Sequence, residues 1–101
     1  MPIIHINKDS FKEVLNSNEV VLLDFYANWC GPCRMLGQVL EEISETNPEI
    51  VIAKINVDEE GELAEAFKIR SIPQLYICKN GEVVKNISGY VSADVILDAL
   101  K

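Results

Sequence analysis

Residues 20–35 read Val-Val-Leu-Leu-Asp-Phe-Tyr-Ala-Asn-Trp-Cys-Gly-Pro-Cys-Arg-Met. The first seven are apolar on both alternating faces apart from Asp24, the pattern of a central strand covered on both sides. Ala27-Asn28-Trp29 makes a short loop. From Gly31 to Thr46 the period changes. Met35, Leu36, Val39, Leu40 and Ile43 line one side of a helix, with Gln38, Glu41, Glu42 and Glu45 opposite, until Asn47-Pro48 stops it. Two cysteines, Cys30 and Cys33, therefore sit where a central strand passes into a helix.

Working outward, Ile50–Asn56 reads as a second central strand, and strand–helix–strand in this order predicts a parallel crossover. Upstream, Ile3–Asn7 alternates as a short strand. Ser10-Phe11-Lys12-Glu13 has the form of a capping box ahead of a helix carrying Phe11, Val14 and Leu15. Downstream come an acidic turn and a short helix over Glu62–Lys68. Gln74–Lys79 and Glu82–Ile87 then flank Asn80-Gly81, a strong two-residue hairpin signal. Gly89 breaks the chain, and Ser92 caps a last helix with Ile96, Leu97 and Leu100. The predicted order is βαβαβαββα: one α/β domain over 1–101, a mixed sheet of about five strands with helices on both faces.

Composition narrows the function. The 101 residues are 49% apolar and 25% charged, ordinary for a globular domain and too apolar for disorder. Sixteen acidic and nine basic side chains leave a net charge of −7, which argues against nucleic-acid or anionic-membrane partners. The longest apolar runs are four residues, far short of the roughly 20 that span a membrane. Met1–His5 has neither the basic nor the apolar region of a signal peptide, so a cytoplasmic, reducing compartment is expected. Three cysteines are too few for a disulfide-built scaffold.

The cysteine pair carries the chemistry. Cys30 at a helix start faces unpaired backbone N–H groups and the positive end of the helix dipole, which favour its thiolate, the reactive form. Pro32 falls in the first turn, where a missing N–H costs nothing. Cys33 lies one turn on and on the same face, so the two can close a disulfide, one exposed and activated, the other shielded. A structural disulfide closing so short a ring would constrain little of the unfolded chain. A zinc site needs four ligands, and only Cys78 and His5 remain as soft donors. Cys78, within an apolar run, reads as a small buried residue, and His5 as a plain strand residue. Redox chemistry is the favoured reading, with no metal.

Asp24 is the one acid in its strand. A buried carboxylate without a partner holds its proton more tightly than in water. Six residues before Cys30, it is placed for proton transfer. Lys54, mid-strand among apolar residues, reads nearly equally as a solvated edge residue. Asp58, Glu59, Glu60, Glu62 and Glu65 read as a solvated turn and helix start.

Along its whole length the sequence resembles the thioredoxin family. The matching stretches are Leu23–Ala27, Trp29–Met35, Ala53–Asp58, Ile69–Pro73 and Lys79–Glu82, in order and at the right spacing. Cys-x-x-Cys beside a strand–helix–strand pattern is itself the signature by which that family's redox motif is recognised, so it adds no independent support. The resemblance implies a protein-disulfide reductase with Cys30 as nucleophile, Cys33 as resolving thiol, Asp24 as proton acceptor and Lys54 as its neighbour. It implies a cis bond at Ile72-Pro73, with Ile72 and Pro73 against the disulfide and the Ile72 backbone pairing with substrate. Gly89 would let a substrate chain approach, and Trp29, with Gly31 and Pro32, would cover the site. The implied partners are thioredoxin reductase and disulfide-bearing proteins, with the chain a monomer and no cofactor, since no Gly-x-Gly-x-x-Gly or P-loop is present.

Two other classes compete. Gly-Pro between the cysteines argues against a glutaredoxin-like or oxidase-type relative. The intact Cys-Gly-Pro-Cys with Asp24 and Pro73 argues against a binding subunit that no longer turns over. Four positions depart from the family pattern: Tyr26 for tryptophan, Gln38 for a helix proline, Gln74 for threonine and Tyr90 for a small residue. With an N–H at Gln38 able to bond the Arg34 carbonyl, the long helix is expected to run straight through Gly37.

Overall fold

The computed structural model describes residues 3–101; Met1 and Pro2, part of the N-terminal stretch read above, lie outside the described residues. The elements follow the predicted order: β1 (Ile3–His5), α1 (Phe11–Ser17), β2 (Val20–Tyr26), α2 (Gly31–Thr46), β3 (Val51–Asn56), α3 (Gly61–Ala66), β4 (Gln74–Lys79), β5 (Glu82–Ser88) and α4 (Ala93–Ala99). The sheet order is β1-β3-β2-β4-β5. β1 and β2 run parallel to β3, whereas β4 is antiparallel to β2 and to β5. This mixed direction brings the ends of β2, β3 and β5 and the start of β4 to one edge.

Alternation along β2 divides the core. Leu22 packs with Ile52, Leu75 and Ile77 under Leu36, Val39, Leu40 and Ile43 of α2 and Ile96 of α4. Val21, Leu23 and Phe25 point the other way, with Ala53, Ile55 and Cys78, against Leu15 of α1, Leu63 of α3 and Phe67. Two apolar layers on either face are why β2 reads as continuous hydrophobic sequence. Asp24 shares the α2 face with Leu22.

Four local expectations are corrected. β1 stops at His5 because Asn7 turns the chain, its Oδ1 accepting from the N–H groups of Asp9 (2.8 Å) and Ser10 (3.0 Å). Ser10 is already helical (φ −95°, ψ −11°) and caps nothing, so the capping box does not form and Asn7 takes over the role. Ser92 has extended dihedrals ahead of α4 but likewise makes no side-chain cap. α3 ends at Ala66, not Lys68. Lys68 adopts φ 54°, its N–H bonds the Glu65 carbonyl, and the Ile69 N–H reaches back to Ala64. That pair of bonds is a Schellman closure, usually made with glycine. The hairpin turn is as expected, with positive φ at both Asn80 (53°) and Gly81 (86°). α2 runs unbroken through Gly37 and Gln38.

Candidate active site

The site is built where β2 hands over to α2. Cys30 is extended (φ −93°, ψ 112°) and occupies the N-cap of α2, with Gly31 and Pro32 opening the helix. Its Sγ takes the acceptor position that a serine or aspartate oxygen usually fills, receiving the Cys33 N–H at 3.1 Å. Once the pair is reduced, that N–H and the helix end favour negative charge on this sulfur. Cys30 and Cys33 are joined as a disulfide, with Cα atoms 5.2 Å apart.

The expected contrast between an exposed and a shielded cysteine is corrected: Cys30 is 6% and Cys33 3% exposed. Both pack in a small cluster with Ala27, against Tyr26, Val57 and Ile72. The asymmetry lies instead in what each sulfur faces. Cys30 Sγ lies 3.9 Å from the Ile72 carbonyl, next to the cis Ile72-Pro73 bond. Cys33 turns inward, lining a cavity of about 250 Å³ that it shares with Tyr26, Gly37, Gln38 and Lys54.

Asp24 is fully buried, and among the described residues neither carboxylate oxygen has a hydrogen-bond partner. Lys54 Nζ lies 3.7 Å away, close enough to attract but too far to hydrogen-bond. Burial therefore dominates, and the Asp24 carboxyl is pushed up to about 6, with the Lys54 charge pulling the other way. Lys54 is not a solvated edge residue. β3 is an inner strand, the lysine side chain is 19% exposed, and its ammonium stands 4.5 Å from the centre of the Tyr26 ring. Gly37 of α2 faces that ammonium: a Cβ there would touch Nζ at 3.6 Å, an ordinary van der Waals contact.

The rim is apolar and open. Trp29 is 70% exposed, and its indole N–H donates to Asp58 Oδ2 at 2.8 Å. Asp58 is held by the Asn56 side chain, whose Oδ1 accepts the Asp58 N–H at 2.9 Å. The sequence alone reads Asp58 as part of a solvated turn. The available signal was its place just past the carboxyl end of β3, at the edge where sites form. Gly89 (φ 82°) donates its N–H to the Pro73 carbonyl at 2.9 Å. Among the described residues nothing lies within 4 Å of where its Cβ would be, so glycine is needed here for the backbone angle. Gln74 is accommodated by the Ser88 hydroxyl, which donates to its Oε1 at 2.8 Å. Tyr90 lies exposed beside Gly89.

A sulfur pair at a strand–helix junction, an unpartnered buried acid on the strand that leads into it and an open rim define a dithiol–disulfide exchange protein. The comparisons name the family. The thioredoxin family model matches residues 2–101. Thioredoxin 2 of Chlorobaculum tepidum is 46% identical over 89 residues, 87% of this chain and 82% of that one. A bifunctional thioredoxin reductase/thioredoxin of Mycobacterium leprae is 48% identical over 80 residues, 78% of this chain and 18% of that protein. A mutant thioredoxin from Halobacterium salinarum superposes with TM-score 0.90 at 38% identity, covering 96% of this chain and 86% of that one. The chain belongs to the thioredoxin family, and its activity is that of a protein-disulfide oxidoreductase and dithiol electron carrier. The reading as a non-redox binding subunit is not favoured.

Proposed function

We propose that residues 1–101 act as a single thioredoxin domain that reduces protein disulfides by a two-step exchange begun at Cys30. The Cys30 thiolate attacks one sulfur of the target disulfide. A mixed disulfide forms, and the target's other sulfur leaves as a thiolate that takes up a proton. Cys33 then gives its proton to Asp24 and attacks Cys30 Sγ. The Cys30–Cys33 bond forms, the mixed disulfide breaks, and the target leaves as a dithiol, two electrons richer. The second step is effectively intramolecular, so proximity accelerates it. Lys54 opposes the burial of Asp24 and keeps its proton exchangeable, and the cavity that Lys54 and Cys33 both line has room for water.

In this reading Trp29, Gly31 and Pro32 form one wall of the target site and Ile72, Pro73 and Gly89 the other. The Ile72 and Gly89 backbones lie where an extended target segment would run. The oxidised pair is re-reduced by thioredoxin reductase, a partnership supported by the fused relative described above. No described helix is long and apolar enough to cross a membrane. We place the protein in the cytoplasm, as a monomer without a cofactor, and acting on neither nucleic acid nor membranes.

The observation that carries the order of the two cysteines is the Cys33 N–H aimed at Cys30 Sγ. Reduction of insulin disulfides tests it. Cys30→Ser should abolish turnover, Cys33→Ser should accumulate mixed disulfides, and alkylation at mildly acidic pH should reach Cys30 first. Faster labelling of Cys33 would reverse the assignment.

A further inference from the structure

Three strands place a row of polar side chains on the α2 face of the sheet. His5 of β1 stands opposite Lys54 of β3, which stands opposite Asp24 of β2. Register partners in parallel strands project to the same face. One step further along β2 is Tyr26, whose ring lies under the Lys54 ammonium. The Tyr26 hydroxyl is 3.5 Å from His5 Nδ1, and the two rings meet edge-on at 6.3 Å. The ring thus has the ammonium on its face and an imidazole at its rim.

We propose that Tyr26 is a positioning residue for the redox reaction: its ring, steadied by His5, holds the Lys54 ammonium beside the Asp24 carboxylate and so sets the pH range in which Asp24 can accept the Cys33 proton. The proposal rests on the proton-acceptor reading of Asp24. Lysine has a long flexible stem, and 3.7 Å is too far for a hydrogen bond to Asp24 to fix its head group. The face of an aromatic ring attracts a cation and supplies that constraint. The other charged groups around Lys54 do not. Glu59 and Glu60 line a hollow with His5 and Lys54 that Asp24 does not line, so their attraction is not aimed at the carboxyl. Arg34 and Glu41 of α2 line the cavity that Lys54 shares with Cys33, and carry opposite signs. The ring is what keeps the lysine head on the Asp24 side.

The direction of the effect follows. Lys54 near Asp24 favours the carboxylate, so losing the ring should raise the Asp24 midpoint. Carbon-13 carboxyl NMR of the oxidised protein reads it directly. Tyr26→Leu should move the Asp24 midpoint up by about half a pH unit, whereas Tyr26→Phe and Tyr26→Trp, which keep a ring, should stay near wild type. In a Lys54→Leu background Tyr26→Leu should add nothing. An unmoved midpoint in Tyr26→Leu, or a shift that persists undiminished without Lys54, would overturn the proposal. Retained ring variants also show that any shift is not general misfolding. The catalytic arm uses Ellman's reagent on the reduced protein. Its second thionitrobenzoate is released by the Cys33 step, and the pH midpoint of that phase should follow the NMR midpoint across the variants. If Asp24→Asn keeps the inflection of that phase, the acceptor reading itself falls and takes the catalytic consequence with it. If Asp24→Asn removes the inflection while Tyr26→Leu leaves it in place, only the proposal falls.

Discussion

At the scale of single residues, Asp24 shows how a site can work against the fold that holds it. Its carboxyl titrates near 6 in the folded chain against 3.8 when free, because burial disfavours the charged form more than Lys54 restores it. The fold therefore binds the Asp24 proton more tightly than the unfolded chain does. This contribution to stability is fully present below pH 3.8 and is lost as the pH rises through 6. Above pH 7 the ionised acid costs up to about 3 kcal/mol. An asparagine in its place would avoid that cost but would bury an amide whose donors also lack partners. Asp24→Asn should thus be more stable than wild type by about 1–3 kcal/mol at pH 8, with the gain vanishing by pH 4, and slower in disulfide reduction. Urea midpoints at the two pH values decide this. An equal midpoint at pH 8 would mean that water or Lys54 already relieves the charge.

At the scale of elements, the sequence set the type and order of all nine, because each rests on a period or a turn signal that tertiary context reinforces. β2 and α2 were legible to the residue, since the change from apolar run to helical stripe is abrupt at Cys30-Gly31-Pro32. The helix ends that were missed are decided by the hydrogen bonds of one side chain or by a single backbone angle. Asn7 displaced the Ser10 cap because its carboxamide reaches two N–H groups at once. Lys68 closed α3 although lysine carries no sign of a left-handed angle. Of the candidate site, the cysteine pair and the lone acid Asp24 were legible in the residues themselves, whereas Pro73 came only from the family resemblance. The Trp29–Asp58 bond and the ring beneath Lys54 were not legible, because both join side chains about 30 residues apart that meet only when β2 and β3 pair. Lys68 yields a prediction of its own. Its side chain is exposed and its φ of 54° is strained for any residue with a Cβ. Lys68→Gly should keep the Schellman closure and raise stability by about 0.5–1 kcal/mol, a rise of about 2–6 °C in Tm. A lower Tm would show that the lysine stem packs usefully on α3.

At the scale of the whole molecule, Cys78 reports how the layers hold together. It sits on β4 within the core layer of Val21, Leu23, Phe25 and Ile55, and burial pushes its thiol up to about 11. Its neighbours differ on the two sides. Toward β2 it pairs in regular register with Val21, while toward β5 the ladder slips between Ile77 and Cys78. β5 is an edge strand exposed along nearly its whole length, so it is the element most able to leave. Departure of β5 alone would still leave Cys78 beneath the α1 and α3 layer, because its side chain faces that layer and not the edge. Burial of this kind yields only when the sheet and helices separate together. In the oxidised protein, iodoacetamide should therefore find no thiol under native conditions. In rising urea, labelling of Cys78 should follow the same transition as the loss of helical circular dichroism. Labelling that runs ahead of it would place a weak seam at the β4–β5 slip, with β4 opening before the fold is lost.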